Sequence, residues 1–113
     1  MSKTLDEQQI TDIANSLFMA EQNRVQIPAV TLEHPNMTMD DAYAIQRQWV
    51  DKKIEGGRSI RGYKIGLTSR AMQMAVNIDQ PDYGILLDDM FFEDGAEIEV
   101  AAFTDARIEV ELA

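Results

Sequence analysis

The sequence of 113 residues contains no cysteine. This absence excludes a disulfide-bonded scaffold, a thiolate metal site and a cysteine nucleophile. Basic residues are also scarce, since ten Lys and Arg stand against 20 Asp and Glu, which gives a net charge of −10. Nucleic acids and anionic membrane surfaces are bound through basic patches, so the composition argues against both as partners.

Long apolar runs are missing as well. No stretch approaches the roughly 18 apolar residues that a membrane-spanning helix needs. The polar start MSKTLDEQQ lacks the apolar core of a signal peptide. We therefore expect a cytoplasmic protein without a membrane segment. The length allows at most one ordinary domain, and a composition of 45% hydrophobic and 27% charged residues is typical of a globular protein.

The first half of the chain carries helix signals. Thr4 and Glu7 fit a capping box, in which each side chain satisfies a free backbone N–H at the start of a helix. Apolar residues then recur at helical spacing, which predicts a helix over roughly residues 5–24. A second helix is predicted over roughly residues 38–55, with Thr38 at its start.

After the second helix the hydrophobic period changes to that of strands. We predict strands at residues 62–67 and 107–112 and a short helix capped by Ser69. The segments ILLDDMFF and DGAEIEV predict two more short strands. The order of elements, helices first and then strands, predicts an α+β fold with a helical part at residues 1–57 and a strand-rich part at residues 58–113.

Two glutamates alternate with apolar residues near the end of the sequence. In an extended strand, Glu109 and Glu111 lie on one face, because side chains alternate with period two. The spacing by itself favours a solvated acidic face at a sheet edge. The alternative is a seat for a hard divalent cation such as Mg²⁺, which prefers oxygen ligands. Two carboxylates are too few for a complete site, so other ligands would have to complete it.

A lysine and an aspartate stand out in the middle of the sequence. Lys64 lies between Gly62 and Gly66 in an apolar strand. It either extends its ammonium group to solvent or supplies a positive charge to a cavity. Asp82 lies in the turn QPDYG, where aspartate is common for conformational reasons, and a catalytic role is the alternative.

These stretches together resemble a known family. GYKIGLTSRAMQ, QPDYGILLDDMFF and RIEVELA, in this order and at these separations, are similar to the hydratase branch of the fumarylacetoacetate hydrolase family. The resemblance covers nearly the whole chain. It implies that the chain is the N-terminal part of a longer enzyme with a mixed β-roll, since members of the family are more than twice this length.

The resemblance also implies a function. It assigns Glu109 and Glu111 to a divalent metal, Mg²⁺ or Mn²⁺, and catalytic roles to Lys64 and Asp82. The implied reaction is addition of water to a small-molecule 2-oxo-alkenoate, such as 2-oxo-hept-4-ene-1,7-dioate, in aromatic catabolism. A homo-oligomer is expected, which could pair with a related decarboxylase. The alternatives are a 4-oxalocrotonate decarboxylase-type activity, or an inactive truncated chain that acts only as an assembly partner.

Overall fold

The computed structural model describes residues 2–112, and these divide into two compact units. One unit runs to residue 52 and also includes the residues from 95 onward, and the other comprises residues 53–94. The division into a helical part at residues 1–57 and a strand-rich part at residues 58–113 stays a prediction. No helix in the described range is long and apolar enough to cross a membrane.

The first unit contains helix α1, Glu7–Asn23. Its N-cap is Asp6, whose carboxylate accepts a hydrogen bond from the Gln9 backbone N–H at 2.8 Å, while the Gln9 side chain accepts from the Asp6 N–H at 3.0 Å. The capping box predicted at Thr4 and Glu7 is therefore wrong by two residues. The helix itself is confirmed, because the apolar period that predicted it does not depend on the cap.

Helix α2, Met39–Glu55, begins as predicted. The Thr38 backbone N–H donates to Asp41 Oδ2 at 2.8 Å, and the Asp41 backbone N–H donates to Thr38 Oγ1 at 3.2 Å. The core of the first unit is formed by Ile10, Ala14 and Ile45, all at most 4% exposed. Full burial of an isoleucine side chain stabilises a fold by roughly 1.5–3 kcal/mol. The partly buried apolar side chains packed around this core are Leu5, Ile13, Leu17, Met37 and Ala44.

The second unit contains strand β1, Ile60–Gly66, helix α3, Arg70–Ala75, and strand β2, Asp82–Leu87. The two strands pair antiparallel, with a bulge between Ile60 and Gly62. Ser69 caps α3 by accepting a hydrogen bond from the Met72 N–H at 3.2 Å, as predicted. The strand predicted in ILLDDMFF is confirmed only in part, since β2 ends at Leu87 and a 3-10 turn follows at Asp88–Met90.

Two predicted strands are absent from the described residues. Residues 107–112 form no strand, and DGAEIEV contains only the start of a 3-10 turn at Val100–Ala102. Both segments have the alternation of a strand. A strand also needs a neighbour for its backbone N–H and C=O groups, and no described segment pairs with them. The predictions were wrong because alternation reports the propensity of a segment and not the presence of its partner.

Candidate functional site

The register of β1 and β2 brings two of the predicted site residues together. Lys64 is opposite Gly84, and Gly66 is opposite Asp82. Directly paired residues share a face, and so do residues two apart in a strand. Lys64 and Asp82 are therefore diagonal neighbours on one face, a relation that places them roughly 7–8 Å apart in a typical sheet. They form no ion pair with each other among the described residues.

Glycines dominate the rest of this surface, which we call the glycine face. Its six residues, from the register, are Gly62, Lys64, Gly66, Asp82, Gly84 and Leu86. Lys64 is exposed and Asp82 is half-buried. Three positions without side chains let a small molecule approach the backbone closely. The face thus presents one ammonium group and one carboxylate beside three backbone positions that carry no side chain of their own.

The opposite face of the same sheet has a different character. Tyr63, Ile65 and Tyr83 lie on it, and all three are about half exposed or more. Charged side chains at the paired positions are confined to the glycine face. At the paired positions, the charged groups therefore lie on one face, and the other face carries tyrosine and isoleucine side chains.

The backbone directly after β1 is strained. Leu67 has a φ of 52°, in the left-handed region that a leucine rarely adopts. The side-chain amide of Gln73 donates to the Leu67 carbonyl at 2.7 Å, and Gln73 is only 7% exposed. Sequence reasoning missed this residue, since a glutamine in a short helix gives no sign that it is buried. Gln73 holds the turn that follows Lys64 and Gly66.

Replacing Gln73 with leucine is expected to lower the free energy of unfolding by about 1–3 kcal/mol. The change roughly keeps the volume of the side chain and leaves the partly buried Leu67 carbonyl without its donor, which costs an amount of that size. Urea denaturation measures the effect. Gln80→Leu is the matched control at an exposed position of the same unit and should change stability by less than about 0.5 kcal/mol. Equal effects in the two variants would remove Gln73 from this role.

Glu109 and Glu111 lie in the first unit, and both are exposed. The alternating apolar residues are fully exposed too, with Ile108 at 95% and Val110 at 100%. The oxygen atoms of the two carboxylates are of the type that a hard divalent cation prefers as ligands. Residues 2–112, however, contain no group of three or more His, Cys, Asp or Glu arranged to hold a metal. The described chain therefore offers part of a ligand set, and the metal assignment stays a prediction.

Asp41 is a buried carboxylate in the first turn of α2. Its side chain is fully buried. Oδ1 accepts hydrogen bonds from the Thr4 and Leu5 backbone N–H groups at 2.8 and 3.0 Å, and Oδ2 accepts from the Thr4 hydroxyl at 2.7 Å. Burial alone would raise the pKa of Asp41, but the hydrogen bonds from Leu5, Thr38 and Thr4 outweigh it and hold the pKa well below its usual 3.8. Asp41 thus ties the start of the chain to the start of α2.

The chain is similar over nearly its whole length to enzymes of known activity. It is 55% identical over 108 residues to 2-oxo-hept-4-ene-1,7-dioate hydratase of Escherichia coli, covering 96% of this chain and 40% of that protein. It is 39% identical over 105 residues to 2-keto-4-pentenoate hydratase of Paraburkholderia xenovorans, covering 93% of this chain and 39% of the relative. The resemblance read from the three motifs is confirmed. The chain spans about two fifths of the length of these relatives.

Solved structures of a related enzyme share the fold. Two structures of 4-oxalocrotonate decarboxylase from Pseudomonas putida G7 match with TM-scores of 0.75 and 0.74 at 36% identity. Each match covers 78% of this chain and 34% of the decarboxylase. One is a complex with calcium and acetate, and the other is a complex with magnesium and adipate. No family model matches the chain.

Proposed function

We propose that the protein is a metal-dependent hydro-lyase that adds water to a 2-oxo-alkenoate, such as 2-oxo-hept-4-ene-1,7-dioate, in the breakdown of aromatic compounds. The similarity to named hydratases supports the reaction class. The observation that carries the proposal is the glycine face, where Lys64 and Asp82 lie beside three positions without side chains. A small oxo acid fits this arrangement, because its carboxylate needs a cation and its carbon chain needs space.

The hydration reaction requires one positively charged group and one base. In 2-oxo-hept-4-ene-1,7-dioate, a proton first leaves C3 and a proton is added at C5, which moves the double bond from C4–C5 to C3–C4, in conjugation with the oxo group. Water then adds in conjugate fashion: its oxygen bonds to C4, the carbon β to the oxo group, one of its protons leaves, and a proton is added at C3, the α carbon. Negative charge develops on the oxo oxygen meanwhile. The Lys64 ammonium would stabilise that charge or donate a proton, and the Asp82 carboxylate would take up or relay the proton of water.

Glu109 and Glu111 would contribute two ligands to a divalent cation, Mg²⁺ or Mn²⁺. Such a cation, when bound, supplies Lewis-acid polarisation of a carbonyl oxygen. The calcium and magnesium complexes of the P. putida decarboxylase support a divalent metal in this proposal. Assembly as a homo-oligomer, with or without a related decarboxylase, belongs to the same proposal.

The test is a pair of assays on the gene product at its natural length, with Mg²⁺ present. One follows the loss of the conjugated dienol form of the seven-carbon substrate, and the other follows release of CO₂ from 4-oxalocrotonate. Hydration without decarboxylation is the expected result. The solved decarboxylase structures favour decarboxylation as the second candidate, and CO₂ release without hydration would replace the proposal by it. Activity in neither assay, alone or mixed with a related enzyme, would overturn both.

The chain itself is expected to bind Mg²⁺ weakly, with a dissociation constant on the order of a millimolar, because two carboxylates are an incomplete ligand set. The double variant Glu109→Ala, Glu111→Ala should abolish this binding in isothermal titration calorimetry.

The sequence offers a matched control for this experiment. Glu97 and Glu99 have the same spacing and are exposed in the same unit. The variant Glu97→Ala, Glu99→Ala removes the same charge and should bind Mg²⁺ as the parent does. Equal losses in the two double variants would mean that Mg²⁺ is attracted only by the net negative charge.

A further inference from the structure

Gly66 is in unusually close contact with a proposed catalytic group. It lies opposite Asp82 in the sheet. A Cβ atom added at Gly66 would lie 2.5 Å from Asp82 Oδ1 and 3.6 Å from its Cγ. The first distance is far below van der Waals contact. The carboxylate of Asp82 therefore occupies the space in which any other residue at position 66 would place its side chain.

Backbone conformation does not explain this glycine. The φ of Gly66 lies outside the left-handed region, whereas Gly57 and Gly95 have φ values of 99° and 83°. An alanine could adopt the backbone of Gly66 without strain. What the position requires is the absence of a Cβ atom on the glycine face.

A second glycine of the same strand and face lacks this constraint. A Cβ atom at Gly62 would meet only Phe91 Cζ at 3.8 Å, which is ordinary van der Waals contact. The two glycines thus differ in the contact that an added Cβ atom would make, because a carboxylate lies over Gly66 and only Phe91 Cζ, at ordinary contact distance, lies near Gly62. The difference makes Gly62 an internal reference for any effect of adding a methyl group to this face.

We propose that Gly66 is a positioning residue for Asp82: by leaving its Cβ position empty, it lets the Asp82 carboxylate lie flat against β1, on the same face as Lys64. The functional part of this inference rests on the proposed role of Asp82 in hydration. Asp82 is a short side chain with a free end, so a methyl group at position 66 would rotate the carboxylate rather than move the strands. The fold would persist with the acid displaced.

The experiment compares Gly66→Ala, Gly62→Ala, Asp82→Ala and the double variant Gly66→Ala, Asp82→Ala. Gly66→Ala should lower kcat by roughly 10- to 100-fold, the order expected when a reacting group is displaced by about an ångström. Gly62→Ala adds the same methyl group to this face without meeting Asp82, so Gly66→Ala should lower kcat further than Gly62→Ala does. When Asp82 is already alanine, Gly66→Ala should not lower kcat further, because the added Cβ atom then no longer clashes with a carboxylate. The ¹³C chemical shift of the Asp82 carboxyl carbon should change in Gly66→Ala and not in Gly62→Ala.

The outcomes separate the inference from the proposed function. An unchanged Asp82 signal in Gly66→Ala, or an equal loss of kcat when Asp82 is already alanine, would overturn the positioning role. Full activity in Asp82→Ala would instead remove Asp82 from the mechanism, and the ¹³C chemical shift of its carboxyl carbon would still decide whether Gly66 positions it. If Gly66→Ala does not fold, the double variant should fold, and failure of both would overturn the inference.

Discussion

Replacing Lys64 with methionine is expected to lower hydratase turnover by about 100- to 1000-fold, or about 3–4 kcal/mol in the activation barrier, while the melting temperature stays the same. Methionine keeps the apolar stem and removes only the charge. Loss of one preorganised contact to a developing oxyanion typically has an effect of that size. Lys64 is exposed on the glycine face, so its replacement should alter stability by less than about 0.5 kcal/mol. Turnover and a thermal melt of the same preparation measure the two effects.

The control for this variant is Arg70→Met. Arg70 is an exposed cation of the same unit, at the start of α3 and outside the glycine face. Removing it changes the net charge equally and should leave turnover within a factor of about two, since exposed charges act weakly at a distance. Near-normal turnover in Lys64→Met would leave this lysine as a solvated strand residue. A similar loss of turnover in both variants would mean that turnover depends on the net charge of the protein and not on a contact made by Lys64.

The helices could be predicted from sequence because their signals are local. The apolar period and a start signal at Thr38 fix α2 within one residue, and Ser69 fixes the start of α3. The residues that form a helix cap lie within four positions of each other, so the local sequence is sufficient to predict where a helix starts. The cap of α1 shows the limit, because Thr4 and Asp6 are both good N-cap residues and only Asp6 has its reciprocal partner at Gln9.

The pairing of distant residues could not be predicted. Glycines such as Gly62 and Gly66 allow another group to approach a strand closely, but the sequence did not indicate that Asp82 was the group at Gly66. The strand at residues 107–112 fails for the same reason, since its alternation is correct and its partner is not among the described residues. Patterns along a chain report what a segment prefers, and contacts across the chain decide what it forms.

Asp41 shows that contacts between distant residues also decide stability. Its replacement by asparagine is expected to lower the stability of the fold more than any of the other substitutions. Three backbone N–H groups, those of Thr4, Leu5 and Thr38, donate to its two oxygens at 2.8–3.0 Å. An asparagine amide has one oxygen, so its NH₂ group must face a donor. Buried donors that lose their acceptors are costly, and we expect the melting temperature at pH 7 to fall by about 10 °C or more.

The pH dependence distinguishes the charge of Asp41 from its shape. Because its pKa is lowered in the folded protein, the carboxylate contributes its full stabilisation above its usual pKa of 3.8 and loses it as the pH falls toward the folded-state value. The difference in melting temperature between the parent and Asp41→Asn should therefore be constant above about pH 5 and shrink as the pH falls from about 4 toward 2.

Asp51→Asn is the control on the same helix. Its ion pair with Arg47 is exposed, and such pairs contribute little, so its melt should follow the parent at every pH. A gap between parent and Asp41→Asn that stays constant down to pH 2 would mean that the ionised carboxylate is not what stabilises this junction.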